Sequence, residues 1–107
     1  MAARRFVLYL VTLDPTVGSE INKTRPCVVI SPDDVNIVFQ TVIVAPLTSS
    51  QRRYPMRVPC RVNRVNGSVA LDQMRSVDRS RLVRALGVLD EPTGTRMLDA
   101  LQGMFAP

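Results

Sequence analysis

Three groups of polar residues interrupt the apolar runs of this 107-residue chain, each where an apolar run begins or ends. They are Glu20, Lys23, Thr24 and Arg25; Thr48, Ser49 and Ser50; and Asp72, Gln73 and Arg75. Polar groups at strand ends either satisfy backbone groups or line a site. Arg25 is the most constrained of them, because it directly precedes Pro26, which favours an extended backbone.

Together these residue types fit the cleavage of an RNA phosphodiester. A guanidinium supplies positive charge and several donors to the in-line transition state. A hydroxyl can donate to a non-bridging oxygen, and a carboxylate can take the proton of the 2′-hydroxyl. A metal ion is not required, since the nucleophile lies within the substrate, and no cofactor is expected. The chain has no histidine, so the commonest general base is absent.

Each group also has a purely structural interpretation. Thr48 and Ser49 could end a strand as a turn. Glu20 and Lys23 could form a surface ion pair that contributes little. Asp72 could cap a bend. These alternatives stay open at the level of the residues alone.

Positive charge is concentrated in one part of the chain. The net charge is +5, and residues 52–84 hold nine arginines against two aspartates, a local excess of +7. This segment includes Arg52, Arg53 and Arg75, which we expect to contact phosphates. A concentrated basic segment favours a polyanion as partner, and arginine binds phosphate oxygens in pairs. Genomic nucleotide bias is an alternative source of the arginine-for-lysine usage, but it does not explain the clustering.

Cysteines and the N-terminal run indicate the compartment. Cys27 and Cys60 lie far apart in apolar runs and outside any metal-binding spacing, so we expect buried reduced thiols in a cytoplasmic protein. The basic N-terminus precedes an apolar run that is too short for a membrane span and lacks a cleavage pattern. We therefore predict no membrane association.

The apolar patterns predict six strands, a one-turn helix, a short helix and a C-terminal helix. The strands are Phe6–Leu13, Pro26–Ser31, Phe39–Leu47, Met56–Val62, Ser68–Val77 and Leu86–Asp90. Pro59 indicates an edge strand or a bulge, and Asn66-Gly67 predicts a hairpin turn. The one-turn helix would begin at Ser31 as N-cap with Pro32 first, and Asp78 would cap a short helix over Asp78–Leu86.

The last segment, residues 91–106, places apolar residues at helical spacing. They are Met97, Leu98, Leu101, Met104 and Phe105. Short strands, one long connecting loop and this amphipathic C-terminal helix predict a mainly β fold with short helices, built as a small bent antiparallel sheet or barrel. The length predicts a single domain over residues 1–107.

Several stretches resemble, in order along nearly the whole chain, the MazF/PemK family of toxins from toxin–antitoxin systems. They are "LDPTVGSEINKTRPCVVIS", "VIVAPLTSS", "RVPCRVN", "VALDQMRSVDRSRL" and "MLDALQGMFA". The resemblance implies a Src-homology-3-like (CcdB/PemK-like) barrel and a homodimer. It also implies a sequence-specific, metal-independent endoribonuclease that cleaves single-stranded RNA to 2′,3′-cyclic phosphate and 5′-hydroxyl ends. The expected partner is an acidic antitoxin that occupies the RNA groove.

By position, the resemblance puts the catalytic arginine at Arg25, the catalytic threonine at Thr48 and the acidic loop residue at Glu20. The neighbouring hydroxyl falls at Ser49, and the strand that contacts RNA falls at Asp72 and Gln73; Lys23 is a further RNA-binding candidate. Many relatives carry Gly and an acidic residue after an arginine before the first strand, where this chain has Phe6 and Val7 after Arg5. Some have an arginine where this chain has Ala70, which shifts catalytic weight to Arg25.

Two further hypotheses remain beside the ribonuclease. The same barrel type hosts a non-catalytic toxin that poisons DNA gyrase, because fold alone does not fix function. A basic barrel that binds nucleic acid without cleaving it is the other. The polar residues at strand ends favour the ribonuclease, and the general base could be Glu20 or Asp72.

Overall fold

A computed structural model of the chain describes residues 3–13, 23–50 and 53–107. The site candidates Glu20 and Arg52 lie outside these ranges. The described residues form seven strands and two α-helices. The strands are β1 (Val7–Thr12), β2 (Thr24–Val29), β3 (Thr41–Thr48), β4 (Arg57–Val62), β5 (Val65–Ala70), β6 (Arg75–Asp78) and β7 (Leu82–Val88), and the helices are α1 (Asp33–Asn36) and α2 (Glu91–Met104).

The strands form one antiparallel sheet in the order β4-β5-β3-β2-β1-β7. Strand β3 is central, and one of its edges pairs with β2. The other edge pairs with β6 over residues 41–44 and with β5 at Leu47 and Thr48. The curled sheet and the C-terminal helix confirm the predicted mainly β fold. Pro59 lies in β4 at the end of the order, which confirms the predicted edge strand and leaves its missing N–H harmless.

Alternating residues of β2 and β3 supply two separate apolar clusters, as period-two strands require. Val28, Ala45 and Leu47 belong to the larger cluster, which also includes Met97 of α2. Cys27 and Val44 belong to a smaller cluster. The two clusters lie on opposite faces of the sheet, so both faces of β2 and β3 are buried along the middle of each strand.

Helix α2 covers the larger cluster, as predicted. The Asp90 carboxylate accepts a hydrogen bond from the Thr93 amide at 2.8 Å and caps the first turn. Met97 is fully buried in the larger cluster, and Leu98, Leu101 and Met104 pack against the same cluster. The expectation for Phe105 was wrong: this residue is the C-cap and is 69% exposed.

The predicted hairpin turn at Asn66-Gly67 was wrong. Strands β4 and β5 join three residues earlier, through Asn63 and Arg64, with Val62 opposite Val65. Asn63 adopts a φ of 54°, a left-handed conformation that Asn tolerates in such turns. Gly67 instead lies inside β5, where a Cβ atom would be 2.7 Å from the Thr48 carbonyl oxygen. The glycine therefore serves a close approach of two backbones rather than a turn.

The predicted strand over Ser68–Val77 is interrupted. Leu47 pairs with Val69 and Val44 pairs with Arg75. Between these two pairs, the segment from β5 to β6 advances by six residues while β3 advances by three. The excess loops out as a 3-10 turn, Leu71–Gln73, between β5 and β6. Asp72 and Gln73 therefore lie on an exposed turn and not in a strand.

The predicted short helix over Asp78–Leu86 was also wrong. Asp78 does cap a turn, accepting from the Ser80 amide at 2.8 Å, but this is a 3-10 turn over Arg79–Arg81. The following residues form β7, which pairs with β1 from Val11↔Leu82 to Val7↔Val88. This tertiary pairing overrides the local helical pattern. The predicted last strand is therefore longer at its start.

Smaller differences concern element ends. Strands β2 and β3 extend to Thr24 and Thr48, so Thr48 ends a strand and does not begin a loop. The one-turn helix α1 forms, but its N-cap is Pro32; the Ser31 hydroxyl instead bonds the Asn36 side chain and accepts from the Ile43 amide. Both cysteines are buried and reduced, as expected. Within the part of the chain that the structure describes, no helix has the length and hydropathy to cross a bilayer.

Candidate active site

Arg25 is fixed at the start of β2 by its strand and by one hydrogen bond. Its Nη2 atom donates to the main-chain carbonyl of Leu47 at 3.2 Å, and the side chain is half-buried. Cys27 lies opposite Pro46 in the β2–β3 ladder, and continuing that register by two residues places Arg25 opposite Thr48. The guanidinium is therefore held beside the last residue of β3.

Thr48 has a hydroxyl that already makes one contact. Its Oγ1 atom accepts a hydrogen bond from the Ser50 amide at 3.2 Å, so the hydroxyl proton can be directed to another acceptor. Ser49, between them, is exposed. The turn after β3 thus holds Thr48 in place beside Arg25, and both predicted residues come together.

A transverse row of side chains continues across the sheet from Thr48. Thr48 is opposite Ser68 in β5, and Ser68 is opposite Pro59 in β4. Directly paired residues of antiparallel strands place their side chains on the same face. Arg25, Thr48, Ser68 and Pro59 therefore share one face, across four neighbouring strands.

Arg75 lies on the same face, because it pairs with Val44, a member of the same alternating set as Thr48. The guanidinium groups of Arg25 and Arg75 both act on Cys27, lowering its pKa, but burial dominates and raises the pKa of this thiol to about 12. Two arginines thus approach one buried thiol. The thiol is protonated at neutral pH, which excludes Cys27 as a nucleophile.

Asp72 is held in an ion pair with Arg57. The Arg57 Nε and Nη2 atoms donate to the two carboxylate oxygens at 2.7 Å and 3.0 Å. These hydrogen bonds lower the pKa of Asp72 below its usual range. A carboxylate that is bound at both oxygens and has a lowered pKa is a weak base. Gln73 is exposed on the same 3-10 turn.

Lys23 and Arg53 are the remaining predicted residues that the structure describes, and both are exposed. Lys23 is exposed, and its carbonyl accepts from the Leu13 amide at 3.3 Å, which closes the base of the connection between β1 and β2. Arg81 donates to the carbonyls of Thr12 and Leu13 at 3.3 Å and 2.8 Å. Arg53 is exposed and lines a cavity beside β4 and β5.

That cavity involves residues that the sequence did not single out. It has a volume of about 540 Å³, and its lining is formed by Arg53, Tyr54, Arg57, Pro59, Asn66, Gly67 and Ser68. The signal was present in the stretch "RRYPMR", where an aromatic residue lies among arginines, a combination common in nucleic-acid binding. Asn66 carries no binding signal of its own in the sequence, because Asn-Gly predicts a hairpin turn.

Sequence comparison shows which known proteins the chain is similar to. A family model described as "PemK-like, MazF-like toxin of type II toxin-antitoxin system" matches residues 4–105. The chain is 32% identical to the endoribonuclease EndoA of Bacillus subtilis, over 95% of this chain and 93% of the relative. It is 31% identical to the endoribonuclease MazF9 of Mycobacterium tuberculosis, over 92% of each chain.

The fold agrees as well. The crystal structure of a MazE–MazF complex from Deinococcus radiodurans (Form-II) superposes with a TM-score of 0.83 and 27% identity, over 97% of this chain and 96% of that one. The crystal structure of MazF (Form-I) from the same organism gives a TM-score of 0.79 at 27% identity. The match over nearly the whole length and the shared curled sheet lead to one conclusion: the chain belongs to the PemK-like, MazF-like toxins of type II toxin–antitoxin systems.

Proposed function

We propose that this chain is a sequence-specific, metal-independent endoribonuclease that cleaves single-stranded mRNA and so inhibits translation and growth. The observation that carries the proposal is the Arg25 guanidinium, held against the Leu47 carbonyl and beside Thr48 at the adjoining ends of β2 and β3. The two curated relatives are named endoribonucleases, and that activity suits this arrangement.

The chemistry follows from the substrate. The 2′-oxygen attacks the adjacent phosphorus and loses its proton to a carboxylate, while the bond from phosphorus to the 5′-oxygen breaks and that oxygen takes up a proton. The products are a 2′,3′-cyclic phosphate and a 5′-hydroxyl. Arg25 stabilises the negative charge that develops on phosphorus-bound oxygens, and the Thr48 hydroxyl donates to one of them.

We propose Glu20 as the general base. It lies outside the described residues, and the argument for it is the resemblance together with the state of Asp72. Both Asp72 oxygens bind Arg57, and this pairing lowers the pKa of Asp72. Asp72 therefore acts by positioning Arg57. Ser49, Gln73, Arg75, Lys23, Arg52 and Arg53 are proposed to contact RNA around the scissile phosphate.

Two partners complete the proposal: a second copy of this single-domain chain, and an acidic antitoxin. The side chains of Ile37, Val38 and Phe39 are 69%, 71% and 56% exposed, and an apolar run of this kind supports burial by another subunit. The excess of arginine over residues 52–84 supports an acidic partner. A relative from Deinococcus radiodurans is seen as a MazE–MazF complex. The proposed compartment is the cytoplasm, where mRNA is translated.

The test is incubation of the purified protein with a long single-stranded RNA in the presence of a chelator, with the ends of the fragments identified. We expect a few discrete cuts with cyclic phosphate ends. Arg25→Ala should abolish them. Arg84→Ala is the matched control, because Arg84 is exposed and pairs with Leu10, on the face of the sheet opposite Arg25. Intact RNA across several transcripts would refute the proposal and favour a non-catalytic toxin.

A further inference from the structure

The cavity beside β4 and β5 continues the face that carries Arg25 and Thr48. Ser68 and Pro59, which line it, belong to the same transverse row as Thr48. Gly67, which also lines it, approaches the Thr48 backbone so closely that a Cβ would be 2.7 Å from the carbonyl oxygen. An RNA strand whose phosphate lies at Thr48 would therefore have a neighbouring nucleotide at this cavity.

The side chains at the cavity are held before any ligand arrives. The Arg57 amide donates to the Tyr54 carbonyl at 2.9 Å, closing a tight turn through Pro55 and Met56. The Met56 carbonyl accepts from the Leu71 amide at 3.0 Å, which ties this turn to the 3-10 turn after β5. Tyr54 and Arg57 are thus fixed relative to each other and to the sheet, which limits the entropy lost on binding.

Arg57 is oriented from two sides. Asp72 binds its edge through two hydrogen bonds, and the guanidinium carbon lies 5.7 Å from the centre of the Tyr54 ring. The Arg57 side chain is only 14% exposed. Asp72 neutralises the charge of Arg57. The second arginine at the cavity, Arg53, therefore gives the cavity a net positive charge. Tyr54 itself remains 43% exposed.

These features fit one class of ligand. A flat aromatic surface, an amide and guanidinium groups are the groups with which proteins stack on unpaired bases, contact base edges and bind phosphate. A volume of about 540 Å³ is within the range of small-molecule sites and can hold a nucleotide. An acidic antitoxin side chain would pair with the arginines but would make no use of the Asn66 amide or of the exposed part of the Tyr54 ring.

We propose that this cavity binds one unpaired nucleobase of the RNA next to the cleaved phosphate, and that it determines sequence preference at that position. Tyr54 stacks on the base, Asn66 hydrogen-bonds its edge, and Arg57, oriented by Asp72, contacts the adjoining phosphate. This inference rests on the proposed ribonuclease function. It adds a binding role for Tyr54, Asn66 and Arg57.

The experiment maps every cut on one long transcript for the wild type and for Asn66→Ala, Tyr54→Ala and Tyr54→Phe. Asn66→Ala should relax the preference at one position beside the cut by about tenfold, as loss of a bidentate base contact predicts. Tyr54→Ala should raise KM about tenfold through loss of stacking, while Tyr54→Phe keeps the ring and should retain both KM and preference. Gln102→Ala, an exposed amide on α2, is the matched control.

The outcomes are distinguishable. If the wild type leaves RNA intact, the ribonuclease proposal fails, and this inference fails with it. If the wild type cuts and the Asn66 and Tyr54 variants keep its preferences and KM within twofold, this inference alone is overturned. A variant that cuts RNA normally but binds the purified antitoxin less tightly would overturn it in favour of an acidic peptide site. A circular dichroism melt confirms that each variant is folded.

Discussion

The Nη2 atom of Arg25 donates to the carbonyl oxygen of Leu47 at 3.2 Å, so the guanidinium is bound to the strand that ends in Thr48. One donor of the planar fork is used for positioning, and the others remain for a phosphate. The same group is therefore both a structural link between β2 and β3 and the proposed source of transition-state stabilisation.

The double role of Arg25 predicts that a lysine at this position supports cleavage poorly. Arg25→Lys keeps the charge but not the planar fork, and lysine cannot donate to Leu47 and to two phosphate oxygens with the same geometry. We expect kcat to fall roughly 10²- to 10³-fold, as for loss of one transition-state donor, with KM changed far less. Single-turnover cleavage of a short mapped substrate measures both. A lysine variant with wild-type kcat would show that charge alone suffices.

The Asp72–Arg57 pair predicts an acid dependence of stability. Because the Arg57 hydrogen bonds lower the pKa of Asp72 in the folded chain, the carboxylate stabilises the fold above its unfolded pKa of about 3.9, and the contribution is lost as pH falls through the lower folded pKa. Asp72→Asn should therefore lower Tm near neutral pH, and the difference from the wild type should shrink in strong acid.

Thermal melts of both proteins from neutral to strongly acidic pH check this expectation. Asp78 and Asp90, whose pKa values are also lowered by hydrogen bonds from Ser80 and Thr93, are present in both proteins and cancel in the comparison. A difference in Tm that is constant with pH would mean that Asp72 acts through shape rather than charge.

Two glycines predict opposite effects of the same substitution. At Gly67 a Cβ would meet the Thr48 carbonyl oxygen at 2.7 Å, whereas at Gly103 it would meet nothing within 4 Å. Gly67→Ala should displace β5 from β3, destabilise the fold by about 1–3 kcal/mol and slow cleavage by moving Thr48. Gly103→Ala, near the end of α2, should stabilise by roughly 0.5–1 kcal/mol. Urea unfolding of both variants measures the pair.

If Gly67→Ala were neutral in stability and cleavage, the close approach of β5 to Thr48 would not exist in solution. If Gly103→Ala were as destabilising as Gly67→Ala, the effect at Gly67 could not be assigned to the Thr48 carbonyl.

The core beneath α2 predicts a large effect of Met97. This side chain is fully buried in the larger cluster, so Met97→Ala should destabilise by about 2–5 kcal/mol through lost burial and a residual cavity. Phe105→Ala, which removes a larger apolar side chain that is 69% exposed, should change stability by far less. Chemical denaturation compares them, and similar losses would indicate that Phe105 is covered by another subunit.

Sequence patterns located most strands but missed how they pair. The apolar runs around Cys27 and Val44 and the helical spacing around Met97 identified the elements, because burial imposes these periods. The break at Asp72 was not visible, since it follows from β5 and β6 pairing with the same edge of β3 at different registers. The local pattern after Arg81 predicts a helix, and only the pairing with β1 makes this segment extended.

In the candidate site too, some residues could be predicted from the sequence and others could not. Arg25 and Thr48 could be predicted because each directly adjoins a buried strand, and strand pairing brings them together. The partner of Asp72 could not, because Arg57 is fifteen residues away along the chain and reaches it only through the 3-10 turn. Asn66-Gly67 has the sequence of a hairpin turn, but the turn lies at Asn63-Arg64. Gly67 instead allows the close approach of β5 to the Thr48 backbone.

The contacts at Leu13 and Lys23 have a consequence for which substitutions the end of the β1–β2 pair accepts. The Leu13 amide bonds the Lys23 carbonyl, and Arg81 holds the carbonyls of Thr12 and Leu13. The bond between Leu13 and Lys23 uses main-chain groups, and the two bonds from Arg81 come from another part of the chain, so none of them depends on the side chain of Lys23. Substitution of the exposed Lys23 side chain should therefore leave this pairing at the end of β1 and β2 intact, whereas loss of the Arg81 side chain removes both bonds to the carbonyls of Thr12 and Leu13.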